Sequence, residues 1–75
     1  MSIKEAIISL NIIDVEFRAI QLADTLYPNS RYDDSEGRVY NHSVPAVARR
    51  LRHTKGIQEI RHGVFYAHRE YFNLG

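Results

Sequence analysis

The chain has no cysteine, no tryptophan, one methionine and two prolines in 75 residues. Without cysteine, disulfides and thiolate metal sites are excluded, and a reducing compartment such as the cytoplasm is expected. No apolar run reaches the roughly 18 residues of a membrane span, so no membrane partner is expected. The opening M-S-I-K-E-A-I-I-S-L has no basic segment leading into a long apolar core, and no small-residue cleavage site follows, so it reads as a mature cytoplasmic start. Repeats, low-complexity tracts and linkers are also missing, and the length fits one domain, 1–75. So short a chain buries a modest core, which makes a homodimer or another partner an expectation.

Chemical motifs are scarce too. No nucleophile elbow, phosphate loop or metal motif frames the Ser, His and Asp residues. The spacings of His42, His53, His62 and His68 match no compact zinc pattern. Asp33, Asp34 and Glu36 lack the register and closing Glu of a calcium loop and read as a solvated turn. A small chain has little from which to build a water-excluding pocket. No enzymatic activity, catalytic residue, metal site or cofactor is expected.

What is present is uneven charge. The formal net charge is only +1, yet residues 1–37 carry three cations against seven acids and residues 38–75 carry seven cations against two acids. All four histidines lie in the second half, and arginine outnumbers lysine eight to two. A basic half on a near-neutral chain points to an anionic partner for that half. Arginine's planar fork suits phosphates and guanine edges.

Along the chain, Ser2 and Glu5 form a capping-box pattern that favours a helix from Ser2 to about Asn11, with Asn11 suited to a left-handed end. The spacing of Val15, Ala19, Leu22 and Leu26 predicts a second helix from Asp14 to Tyr27, capped by Asp14 and stopped by Pro28. Phe17 falls on its polar side, an anomaly. Residues 29–42 read as a long connection of turn residues, with Arg38-Val39-Tyr40 extended and a short helix near 30–36 as an option. Ile57–Arg61 and 64–72 read as strands joined by a His62-Gly63 turn. Their mixed parity calls for a bulge or for a ribbon covered on both faces.

The most organised stretch is S-V-P-A-V-A-R-R-L-R-H-T-K-G, residues 43–56. Ser43 fits an N-cap and Pro45 fits the first turn. Val44, Val47, Ala48 and Leu51 share one face. Arg49, Arg50 and His53 lie opposite, Arg52 sits on the flank, and Gly56 is placed for a left-handed cap. A helix apolar on one side and arginine-lined on the other can be anchored in a core while presenting cations.

This helix and the I-Q-E-I-R-H-G-V-F-Y-A-H-R-E-Y-F ribbon behind it (57–72) resemble the recognition helix and wing of the winged helix-turn-helix domains, small regulators common in bacteria and their phages. The likeness covers about the last thirty residues. It implies a mainly helical α+β fold, a three-helix core with a C-terminal two-strand β-ribbon. It also implies a dimeric transcriptional regulator that binds double-stranded DNA. Arg49, Arg50 and His53 would face the major groove, and Arg52 and Lys55 would meet phosphates. Arg61 and His62 would reach the backbone or minor groove, and Ser43 would lie beside a phosphate at the helix N-terminus. In the family the preceding helix follows closely, so the likeness requires a short helix within 29–42 or a distorted unit. The other expectation is a small inhibitor or adaptor that binds a protein partner through the acidic 29–42 segment and its tyrosines.

Overall fold

The computed structural model describes residues 1–72. The elements run α1 (Ile3–Leu10), β1 (Glu16–Arg18), α2 (Ala19–Leu26), β2 (Arg31–Asp33), β3 (Val39–Asn41), α3 (Val44–Arg52), β4 (Ile57–Arg61) and β5 (Val64–Ala67). Short 3-10 turns occupy Pro28–Ser30 and Arg69–Tyr71. The strands form two antiparallel sheets, one of order β1-β5-β4 and one that is the β2-β3 hairpin alone.

This corrects the expected three-helix core with a C-terminal two-strand ribbon. The C-terminal ribbon is part of a three-stranded sheet whose third member, β1, comes from the N-terminal half. A second sheet fills what read as a connection. Nor is the fold mainly helical, since 26% of the described residues are strand against 43% helix.

α1 forms as its capping box dictates. The Ser2 Oγ accepts from the Glu5 N–H at 3.1 Å, and the Glu5 carboxylate accepts from the Ser2 N–H. Asn11 ends the helix at φ 55°. Ile3, Ala6 and Ile7 are its buried stripe.

The predicted helix from Asp14 is the main local correction. Asp14 is no N-cap: it is left-handed, at φ 61°, and the next residues extend. Its carboxylate instead holds the Arg69 N–H at 3.1 Å and the Arg69 Nε at 2.9 Å. These bonds keep the Asp14 carboxyl below its ordinary pKa. Extension resolves the Phe17 anomaly. In a strand, Glu16 and Arg18 point out while Phe17 points in. Phe17 pairs with Phe65 across the sheet, their rings 6.1 Å apart. α2 then starts at Ala19, where the Gln21 side chain accepts from the Arg18 N–H at 2.8 Å.

Beyond the Pro28–Ser30 turn, residues 31–42 hold no helix. Tyr32 faces Tyr40 across the β2-β3 hairpin, and Asp34 organises its turn by accepting from the Glu36 and Arg38 N–H groups, both at 2.8 Å.

β4 has the bounds the sequence predicts, and the parity conflict is met by a register shift between Glu59 and Arg61. β5 stops at Ala67, short of the predicted 72. The chain then turns through Arg69–Tyr71, which returns Phe72 to the core. That core joins α1, α2 and α3 to the inward faces of β1 and β5 through Ile7, Phe17, Leu22, Val47, Leu51 and Phe65.

Candidate functional site

α3 is held by its apolar stripe. Val47 and Leu51 are fully buried, and Val44 and Ala48 are half-buried against the core. The remaining positions turn outward by the helical period, so Arg49, Arg50, Arg52 and the capping His53 form one exposed basic face. The predicted opposition of faces is what the structure has.

The ends of the helix differ from expectation. Ser43 has helical dihedrals and its hydroxyl bonds to no amide of the first turn. Instead the Ser43 hydroxyl and N–H both donate to the Asn41 Oδ1. The Asn41 amide nitrogen donates to an Asp24 carboxylate oxygen at 3.1 Å and to the Tyr27 carbonyl at 3.0 Å. Asn41 is the one buried polar residue among those described, 5% exposed, and it ties the end of α2 to the start of α3. Sequence reasoning passed over it. The only signal was an Asn two residues before a helix start, a common Asx-turn position.

At the other end His53 closes the helix, and the Thr54 hydroxyl donates to the Arg50 carbonyl at 2.7 Å. Gly56 is left-handed at φ 91°, but it lies beyond the cap and opens the path into β4. Its missing side chain makes room for Tyr71, whose Cβ and ring would collide with a Cβ at position 56.

The cations predicted for the site divide by their partners. Among the described residues no carboxylate pairs with Arg49 or Arg50. Arg50 donates to the Tyr27 hydroxyl at 3.1 Å, which steadies it without neutralising it. Arg52 is gripped by Glu59 in a two-pronged pair at 3.0 and 3.1 Å. The same carboxylate accepts from the Gly63 N–H at 3.0 Å. The Arg52 hydrogen bonds, followed by that backbone bond, pull the Glu59 pKa from 4.5 down to about 2. Arg61 pairs with Glu16 on β1. Lys55 lies over the Tyr71 ring at 5.7 Å. His62 is exposed in the β4-β5 turn, within a cleft that Arg52 also lines.

The structure therefore gathers Arg49, Arg50, Arg52 and His53 on one helix face and sets His62 beside Arg52. It draws Arg61 toward β1, and it occupies the Ser43 hydroxyl elsewhere. Among the described residues no three His, Asp or Glu side chains converge as metal ligands. No helix among them is long and apolar enough to cross a membrane.

A further feature lies on the β2-β3 hairpin. Asn41 points inward, so by strand alternation Tyr32, Tyr40 and His42 point away from the body. Their rings stack, Tyr32 on Tyr40 at 5.4 Å and Tyr32 on His42 at 4.1 Å. Tyr32 remains 42% and Tyr40 37% exposed.

Comparison with known proteins found no matching family model, curated protein or solved structure.

Proposed function

We propose that the chain is a DNA-binding regulator, kin in working principle to the winged helix-turn-helix domains, that lays the exposed face of α3 in the major groove. The observation that carries this reading is the pair Arg49 and Arg50, held on a core-anchored helix with no carboxylate among the described residues to neutralise them. A guanidinium in that setting can grip the O6 and N7 of a guanine. Arg49 and Arg50 read bases with His53 beside them, and Lys55 meets a phosphate. Arg52 and Arg61 are offset by Glu59 and Glu16, so their share of the affinity is smaller. His62, exposed in the β4-β5 turn, supplies a backbone contact on this reading. Ser43 supports the helix start through Asn41 rather than binding phosphate through its hydroxyl. Two copies on a two-fold symmetric site would supply paired half-site contacts.

Replacing Arg49 and Arg50 together by alanine tests the reading. Affinity for a duplex collapses while the circular dichroism spectrum and melting temperature stay close to the parent's. Unchanged duplex binding by a folded double variant refutes it.

The stacked Tyr32, Tyr40 and His42 favour a second reading, an inhibitor or adaptor that docks a protein partner on the hairpin. Exposed tyrosines give large, rigid contact area. On that reading Tyr32→Ala or Asp33→Ala abolishes activity and the arginine double variant does not.

A further inference from the structure

A cleft of about 310 Å³ lies between α2, α3 and the β4-β5 turn. Its inner wall is apolar, built from Ile20, Val44 and Ala48, and its rim carries Arg18, Arg52 and His62. No Asp or Glu lines it. The volume lies at the lower end of small-molecule sites, which are mostly apolar with a few convergent polar groups.

The rim is not uniformly neutralised. Arg52 spends its Nε and Nη2 on Glu59, while its Nη1 makes no hydrogen bond among the described residues. Arg18 has no ion-pair partner among them. Its Nη1 reaches back over the turn, 4.0 Å from where a Cβ on Gly63 would stand. The start of α2 lies at the same wall, where the helix dipole adds positive potential. Glu59, bonded to Arg52 and to the Gly63 N–H, stands beside the rim and offsets Arg52, which leaves Arg18 as the unpaired guanidinium at the mouth of an apolar cleft, complementary to a small apolar body with an anionic head.

We propose that this cleft binds a small organic carboxylate, an aryl or medium-chain acid. The hydrocarbon lies on Ile20, Val44 and Ala48, and the carboxylate meets Arg18 with Arg52 and His62 beside it. Because Val44, Ala48 and Arg52 belong to α3, a bound acid touches the helix that carries Arg49 and Arg50. Binding itself does not depend on the DNA reading, because it is measured on the free chain.

The test uses benzoate and its neutral counterpart benzamide, titrated into the full chain and followed by amide chemical shifts. The expected result is saturable binding of benzoate at millimolar concentration or below, with shifts clustered at residues 18–20, 44–52 and 62–65. Benzamide should bind on the order of tenfold more weakly, the worth of a charge-assisted hydrogen bond. Arg18→Gln should weaken benzoate by a similar factor without unfolding, since the backbone N–H that meets Gln21 is untouched. Ala48→Trp, with its melt checked, should abolish binding by filling the cleft. Equal binding of benzamide and benzoate, shifts clustered elsewhere, no saturation at millimolar benzoate, or an Arg18→Gln protein that binds as the parent does would each overturn the assignment.

Discussion

Asn41→Ala is the substitution that most directly probes how α3 is set in place. The side chain accepts two bonds from Ser43 and donates one each to Asp24 and the Tyr27 carbonyl. Net contributions of about 0.5–1.5 kcal/mol per bond, with part-exposed partners regaining water, give a loss of about 2–4 kcal/mol. For a domain of this size each kcal/mol moves the melting temperature by roughly 4–8 °C, so a fall of about 10–25 °C is expected. Asn41→Asp sharpens the test. It keeps the acceptor for Ser43 but sets a second carboxylate about 3 Å from the Asp24 oxygen, judged from the 3.1 Å bond now made there. Two such carboxylates cannot both ionise cheaply, so one pKa rises. That variant is least stable at neutral pH and gains relative to the parent as pH falls and the shared proton binds. Thermal melts by circular dichroism at several pH values read both effects. A melting temperature for Asn41→Ala within about 4 °C of the parent, equivalent to less than about 1 kcal/mol, would refute the bridging role.

Other outcomes follow from the same contacts. Gly56→Ala places a Cβ against Tyr71 and forces alanine to φ 91°, so a loss of about 2 kcal/mol or more is expected in urea unfolding; a neutral result would contradict both the left-handed backbone and the close packing of Tyr71. Leu51→Ala removes a side chain with 0% exposure and is expected to cost about 2–5 kcal/mol, measured by the same unfolding curves; equal midpoints would contradict its burial. Glu59 has its pKa lowered from 4.5 to about 2, so its ion pair stabilises above pH 4.5 and that stability is lost as pH falls toward 2. Glu59→Gln should therefore flatten the pH dependence of stability between those values, as read by melts across that range, and an unaltered slope would refute the pairing.

Much of the frame was legible because local rules and tertiary packing agreed. Ser2 and Glu5 announce α1, and Asn11 closes it as its side chain permits. The stripe of Val44, Val47, Ala48 and Leu51 needs only helical period to be seen. The misses share a cause: strands of three residues carry too little alternation to compete with a helical pattern that runs through them. Glu16–Arg18 was absorbed into the helix of Val15, Ala19 and Leu22, although Phe17 on a polar face was the trace of a strand whose partner, Phe65, lies far along the chain. Tyr32 and Tyr40 looked like loop residues because each strand is stable only through the other. At the candidate site, the exposed face of α3 follows from sequence, but the neutralisation of Arg52 by Glu59 and of Arg61 by Glu16 does not. Those pairs cross between elements whose adjacency no local pattern encodes. The same holds for Asn41, whose four bonds go to three residues, Asp24, Tyr27 and Ser43.

The central claim, that unpaired arginines on α3 meet DNA, is tested most directly by fluorescence anisotropy on a mixed-sequence duplex across a series of salt concentrations. On a mixed-sequence duplex, which offers no specific site to read, Arg49, Arg50 and Lys55 all fall on phosphates and predict a slope of log K against log salt of roughly −3, falling toward roughly −1 in the Arg49→Ala, Arg50→Ala protein. No binding at low salt by a demonstrably folded chain, or a slope unmoved by the double substitution, would contradict it.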